Sequence, residues 1–240
     1  MKKPFFATEI LVTAAIFIVL PEIYSLINYI EFLSMENVPG QVVINMNYPI
    51  SMAAEILLGI VLFIQMTKNG LLRIPPQDKA VNPVLSFLIL SGKFFLLFGI
   101  LVMISILSTF VLFFTASLSP EQQFVTDFSA LTVIWFLTGT IGAAFYEEIM
   151  FRAFLPDGLL YLTDGKCRAC AEIIPLVLFA LGHIYLGPAG VFNALAAGIA
   201  FRIFYVKSRS IWINVCVHSA YNLIQFALAF ICMNDQALIS

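Results

Sequence analysis

Hydrophobic residues run through this chain in long blocks that short polar stretches separate. A helix needs roughly 20 apolar residues to cross the hydrocarbon core of a bilayer, and most of the blocks approach or exceed that length. The third block is long enough to tilt or to break. A Gly-Pro-Ala-Gly run predicts a tight turn between the fifth and sixth. The pattern predicts about seven helices, or eight if one block divides, over residues 6–30, 47–66, 84–115, 128–155, 173–186, 189–206 and 211–233.

The fold class that follows is all-α, a polytopic membrane bundle with a polar cavity inside the membrane. We interpret residues 1–240 as one transmembrane domain, with N-terminal helices in 1–127 and core helices in 128–233. Composition supports lipid as the solvent, because 61% of the residues are hydrophobic and only 11% are charged, against about 25% charged in soluble domains. Mean hydropathy is +1.00. We therefore expect membrane lipid as a partner.

Cations are distributed unevenly among the loops. Nine of the twelve Lys and Arg residues fall in alternate loops, whereas the loops at 31–46 and 116–127 contain none. The positive-inside rule then places the N-terminus in the cytoplasm. Short loops and no organelle-targeting signal favour a multi-pass protein of a bacterial plasma membrane. No basic patch with interleaved aromatic residues is present, so nucleic-acid binding is not predicted.

The first candidate motif is a pair of adjacent acids, Glu147 and Glu148, near the end of the fourth block. Ionisable residues within a membrane span are costly and mark functional sites. Glu148 and Arg152 are four residues apart, with the acid on the N-terminal side, which favours a helical ion pair. Glu147 is rotated by about 100°, so we expect Glu148 and Arg152 to be structural and Glu147 to remain free for chemistry. Arg152 and Arg202 also lie near predicted cytoplasmic ends, where their side chains could snorkel.

The two histidines of the chain, His183 and His218, both lie inside apolar blocks. Asn222 follows His218 by one helical turn, so the two share a face. In the predicted topology Glu147, His183 and His218 lie roughly 10–15 Å below the same surface, at 1.5 Å per helical residue. A lone histidine in a membrane helix more often bridges two helices, but a common depth on three helices favours one shared polar site.

Such a site suits hydrolysis of an amide by activated water. A carboxylate beside an imidazole can remove a proton from water, and the oxyanion formed by the attack needs hydrogen-bond donors. We therefore expect Glu147 and His183 to activate the water. His218 and Asn222 would then stabilise the oxyanion. The substrate would be a peptide or lipidated protein at the membrane.

These motifs in this order resemble the CPBP family, which contains CAAX prenyl endopeptidases and Abi-like membrane proteins of bacteriocin processing or immunity. The resemblance extends over roughly residues 128–233 and implies a helical membrane fold with CAAX-type intramembrane endopeptidase activity. It adds Phe179 as a supporting residue. The matching positions are Glu147, Glu148 and Arg152, then Phe179 and His183, then His218 and Asn222.

Metal dependence stays open at this point. Glu147, His183 and His218 could supply the three protein ligands of a catalytic zinc site, but a His-Glu-x-x-His motif is absent. We favour a glutamate mechanism that requires no cofactor, with zinc as the alternative. Cys167 and Cys170 form a lone CxxC pair, for which no function is predicted.

Two other classes of function remain as alternatives. One is a non-catalytic membrane binding or bacteriocin-immunity protein on the same fold. The other is a proton-coupled carrier that uses Glu9, Glu55 and Lys93, although no inverted repeat is visible. Cys216, Cys232 and Ser219 are interpreted as packing residues.

Overall fold

The computed structural model describes most of the chain outside the N-terminal segment, namely residues 9–10, 12–13, 23, 26–27, 30, 41–45, 49–72, 82–118, 121–125 and 130–237. The described part is helical, apart from turns and one small sheet. Its long helices are α1 (Pro49–Lys68), α2 (Pro83–Thr115), α3 (Ala130–Glu147), α4 (Leu155–Leu162), α5 (Arg168–Leu181), α6 (Gly187–Ser208) and α7 (Ile211–Ala237). A π-helix (Glu148–Phe154) joins α3 to α4, and 3-10 turns occupy Ala116–Leu118 and Ile184–Leu186.

Three described stretches are long and apolar enough to span a membrane: Val84–Thr115, Ile184–Ser208 and Ile211–Leu228. The predicted count of seven spans is not confirmed within the described residues, and the first predicted span lies mostly outside them. Large apolar side chains cover the outside of α2, where Phe113 and Phe114 are each 79% exposed. Apolar surface of this extent is stable only in a non-aqueous solvent, so the chain is a membrane protein.

The sheet is an addition to the predicted helical fold. Strand β1 (Gln41–Asn45) pairs in parallel with β2 (Glu121–Val125). The strands lie in the two loops without cations, one in each loop, for which the sequence analysis predicted no strand. Because β1 precedes α1 and β2 precedes α3, the pairing brings the starts of these two helices to one end of the bundle. Helices α1 and α3 then run side by side in the same direction.

Two sequence predictions about the helices need correction. The Gly187–Gly190 run is not a turn but the first turn of α6, since proline is favoured at the start of a helix, where its missing N–H is not needed. The chain instead reverses through the 3-10 turn before it. Gly190 packs against that turn so closely that a Cβ there would lie 2.3 Å from Leu186 Cβ. The third apolar block neither breaks nor divides, because α2 is continuous over 33 residues.

The bundle is centred on α6 and α7. Helix α6 packs between α2 and α5, while α7 contacts α2 and α3. Leu97 and Leu101 of α2 form an apolar cluster with Phe201 of α6 and Val217 of α7. A second cluster surrounds the π-helix, all seven residues of which are buried. The predicted site therefore lies where the π-helix, α6 and α7 meet.

Candidate active site

The two adjacent acids lie at a change of helix type. Glu147 is the last residue of α3, and Glu148 is the first residue of the π-helix. A π-helix is rare and is found frequently at functional sites, because its wider turn re-aims side chains. The Glu147 side chain is 24% exposed, whereas that of Glu148 is fully buried. The local backbone thus gives two neighbouring carboxylates different environments.

Glu148 is held by three polar groups. Its Oε1 lies 3.0 Å from His218 Nδ1 and 3.5 Å from Arg152 Nε. Its Oε2 accepts a hydrogen bond of 2.9 Å from Asn214 Nδ2. A buried carboxylate requires such partners, because burial of an unpaired charge is very costly. Donors on all sides favour the ionised form, so Nδ1 of His218 carries the proton and donates it to Glu148.

His218 lies between the two acids. With Nδ1 bound to Glu148, its Nε2 faces Glu147 Oε2 at 3.6 Å. The imidazole is buried and stacks on Phe201, with ring centroids 4.8 Å apart. The histidine is therefore fixed in tautomer and orientation by one carboxylate and aimed at the other.

Arg152 points into the protein. It is 1% exposed, so the snorkelling alternative is wrong for this residue. Its guanidinium carbon lies 3.9 Å from the centre of the Phe179 ring and 5.5 Å from that of Phe201. Within the described residues, Nε and Nη2 have no hydrogen-bond acceptor. The aromatic faces and the Glu148 charge therefore compensate for burial of this cation.

His183 lies just after α5, where the chain turns back towards α6. Its Nδ1 is 2.8 Å from the carbonyl oxygen of Phe179, to which it can only donate. Nε2 is then left as an acceptor. The imidazole also contacts the rings of Phe179 and Tyr185, at centroid distances of 4.8 and 6.4 Å. Tyr185 also interacts electrostatically with Glu147. His183 and Glu147 thus have Tyr185 as a common neighbour.

Asn222 lies one turn beyond His218 on α7 and is half-buried. Asn214 lies one turn before His218 and is fully buried. Sequence reasoning missed Asn214, although an asparagine four residues from His218 in an apolar helix is a detectable signal. Its Nδ2 donates both to Glu148 and to the carbonyl oxygen of Phe201, each at 2.9 Å.

A second group missed from the sequence surrounds Arg202 of α6. Its guanidinium contacts Glu172 at 2.6 Å and Asp157 at 2.9 Å, so it is an internal ion-pair residue and does not snorkel. Arg202 Nη1 also donates to the backbone carbonyl of Arg152. The residue four positions after Arg152 is Pro156, which has no N–H to give that carbonyl. Arg202 therefore supplies the donor that the proline removes.

The cysteines take no part in this cluster. Cys167 and Cys170 are free thiols at the start of α5. Cys216 is exposed on α7, so its interpretation as a core residue is wrong, while the side chain of Cys232 lies outside the described residues. Ser219 is buried, as expected of a packing residue.

The described residues contain no group of three His, Cys, Asp or Glu side chains placed to hold a metal ion. Glu147 and His218 are close, but His183 does not join them as a third ligand in this arrangement. We therefore derive no reaction step through a metal.

The buried hydrogen bonds make a prediction for stability. Asn214→Leu removes the amide donor from an ionised carboxylate, and hydrogen bonds to charged groups contribute about 1.5–3 kcal/mol. We expect a loss of that size in the free energy of unfolding, measured by denaturation in detergent. The matched control is Asn193→Leu, because Asn193 Oδ1 accepts only from the neutral hydroxyls of Tyr221 and Ser108. An equal loss in both variants would contradict the assignment.

Comparison with known proteins places the segment that contains this arrangement within a known sequence family model. Residues 129–224 match the family model described as type II CAAX prenyl endopeptidase Rce1-like. An uncharacterized protein of Treponema pallidum (strain Nichols) is 35% identical over 106 residues, which cover 37% of this chain and 58% of that protein. UPF0177 protein YvdC of Lactococcus lactis subsp. lactis (strain IL1403) is 28% identical over 99 residues, which cover 40% of this chain and 35% of that protein. No solved structure matches the chain significantly.

The chain thus spans less than two thirds of either relative. The family match begins one residue before α3 and ends two residues after Asn222, so it contains the π-helix, both histidines and all seven motif residues. The resemblance seen in the sequence to the CPBP family is confirmed by the family model and by the UPF0177 relative. Residues 129–224 of this membrane protein therefore carry the sequence pattern of the Rce1-like, type II CAAX prenyl endopeptidases, which these residues match.

Proposed function

We propose that this protein is an intramembrane endopeptidase that hydrolyses a peptide bond of a membrane-associated or lipidated peptide, with Glu147 as the base that activates water. The observation that carries the proposal is the position of His218 between two carboxylates. One of them, Glu148, is fully buried and orients the imidazole. The other, Glu147, is partly exposed and faces Nε2 at 3.6 Å.

The difference between the two acids supports the choice of base. Glu148 already accepts from His218 and Asn214 and faces Arg152, so its lone pairs are engaged. Glu147 faces His218 at the longer distance of 3.6 Å, and its carboxylate is partly accessible. A general base must reach the proton that it removes, and Glu147 meets that condition whereas Glu148 does not.

The reaction balances with the groups present. Glu147 takes a proton from water, and the hydroxide oxygen adds to the carbonyl carbon of the scissile amide. The resulting oxyanion accepts hydrogen bonds from the Asn222 amide and from Nε2 of His218 in its doubly protonated form, in which Nδ1 still donates to Glu148. Glu147 then gives its proton to the amide nitrogen, the C–N bond breaks, and a new carboxylic acid and a free amine leave while Glu147 is ionised again.

We assign His183 to the same site as the second group that holds the attacking water. Its Nδ1 donates to the Phe179 carbonyl, so Nε2 is the acceptor that can hold the second hydrogen of the attacking water. Phe179 fixes the imidazole by ring contact and covers the Arg152 cation with the same ring. Because of these two contacts, we propose that Phe179 is a supporting residue of the site, as are Glu148 and Arg152.

The proposed orientation follows from the loops. We place the N-terminus in the cytoplasm of a bacterial cell and the protein in the plasma membrane, with the cation-rich loops inside. The pairing of β1 with β2 supports the placement of cation-rich and cation-free loops on opposite sides of the membrane, because the two cation-free loops meet at one end of the bundle. The peptidase site would then open towards the cytoplasm.

A cleavage assay tests the proposal. The full-length chain is reconstituted in liposomes with farnesylated, unlipidated and membrane-spanning peptides, and products are identified by mass spectrometry in isotopically heavy water. We expect internal cleavage of a lipidated or membrane-spanning peptide, with a heavy oxygen in the new carboxylate. The matched control peptide has an N-methylated scissile amide. Peptide binding without cleavage across the whole set would contradict an enzymatic function.

A further inference from the structure

A groove of about 520 Å³ lies between α2 and α6, away from the candidate active site. Its walls are two helix faces. Residues of α2 line it at intervals of three or four, from Lys93 through Leu96 and Ile100 to Ile104. Helix α6 contributes a similarly spaced face, from Ala196 and Ile199 through Ile203 to Lys207. None of the seven motif residues lines this groove, so a ligand here would not occupy the peptidase site.

The polar groups of the groove are concentrated at one end. Lys207 lies in the last turn of α6, and Lys93 lies on the facing wall within the apolar span of α2. Neither ammonium group has an acidic partner among the residues that the structure describes. A cation within a membrane span is costly and normally has a counter-charge. The unpaired lysines therefore indicate an anion that comes from outside the chain.

The rest of the groove is apolar and long enough for a hydrocarbon chain. From Lys207 to Ala196 the wall extends over eleven residue steps of α6, or roughly 16 Å at 1.5 Å per helical residue. Isoleucine, leucine, alanine and phenylalanine line this length. The groove thus has the polarity of an amphiphile, with a cationic end and an apolar body.

We propose that this groove binds one anionic phospholipid of the surrounding bilayer. The phosphate lies between Lys93 and Lys207, and one acyl chain lies along the groove between α2 and α6. Basic pockets between transmembrane helices bind anionic lipid head groups for this reason. A phospholipid is also the amphiphile that a membrane protein meets at the highest concentration. This site is independent of the proposed peptidase activity.

Binding of phospholipid to the purified full-length protein tests the proposal by native mass spectrometry. The two ligands are phosphatidylglycerol and phosphatidylcholine with identical acyl chains, so that only the head-group charge differs. We expect tighter binding of phosphatidylglycerol. Lys93→Gln and Lys207→Gln should each weaken that binding about fivefold, since each lysine near an anionic lipid surface contributes about that factor. The matched control is Lys166→Gln, an exposed lysine outside the groove, which should bind as the parent does.

A second variant tests the apolar part. Ala196→Trp fills the end of the groove distant from the lysines and should reduce phosphatidylglycerol binding while both cations remain. Equal affinity for the two phospholipids would overturn the proposal, as would parent-like binding in both lysine variants. A farnesylated peptide could bind here instead of a phospholipid, and the same assay tests this. The lipid proposal would also be overturned if such a peptide bound, if phosphatidylglycerol did not displace it, and if Lys93→Gln abolished its binding.

Discussion

The variant Glu147→Gln should lose peptidase activity without losing the fold. An amide cannot accept the proton of water, and a general base contributes about 10²–10⁴-fold to the rate. We expect kcat to fall by a factor in that range. Glutamine has nearly the shape of glutamate, and the Glu147 side chain is partly exposed, so the free energy of unfolding should change little. Cleavage of a lipidated peptide in liposomes and denaturation in detergent measure the two quantities.

The adjacent position provides the matched control, because Glu148→Gln makes the same chemical change one residue away. The two variants separate a chemical role from a structural one. Activity of Glu147→Gln equal to that of the parent protein would exclude Glu147 as the base. A large loss of stability in Glu147→Gln would show instead that this acid, like its neighbour, holds the bundle together.

The variant Glu148→Gln should be strongly destabilised and inactive. Glu148 is fully buried and is the counter-charge of the buried Arg152. Removal of one partner of a buried ion pair costs about 3–5 kcal/mol, since the other charge is left uncompensated. We expect a loss of that size in the free energy of unfolding. Activity should also fall, because His218 Nδ1 loses the carboxylate that orients it.

A double-mutant cycle with Arg152→Met distinguishes the ion pair from general disruption of the core. Each single variant leaves one buried charge unpaired, whereas the double variant Glu148→Gln/Arg152→Met leaves none. The double variant should therefore be more stable than the sum of the single losses predicts. It should remain inactive, since His218 is still unanchored. Strict additivity of the losses would contradict a direct Glu148–Arg152 interaction.

The backbone places the two adjacent acids, Glu147 and Glu148, in different environments. If α3 continued unchanged, residues 147 and 148 would differ only by the rotation of one helical step. The change to a π-helix at Glu148 buries that residue among α6 and α7 and leaves Glu147 at the edge. Arg202 compensates for the carbonyl that Pro156 leaves without a donor. The π-helix is thus bonded to an ion-pair network outside the reacting groups.

The sequence by itself determined that lipid surrounds the protein and identified most residues of the candidate site. Long apolar blocks require lipid, because no soluble core of this size could bury them. The i,i+4 spacing of Glu148 and Arg152 predicted their contact, since any helical backbone places such residues side by side. The boundaries of α2 and α7 also follow from local apolar composition. These are properties of short segments, and a single sequence contains them.

Tertiary structure alone decided which groups meet across helices. The sequence paired Glu147 with His183, whereas the closest described imidazole is that of His218, because the packing of α7 against α3 brings it there. Asn214 and Arg202 acquire their roles only when α6, α7 and the π-helix come together. The β1–β2 pairing is likewise invisible to apolar periodicity, since it joins residues far apart in the chain. The π-helix is invisible too, because the apolar pattern does not separate it from an α-helix.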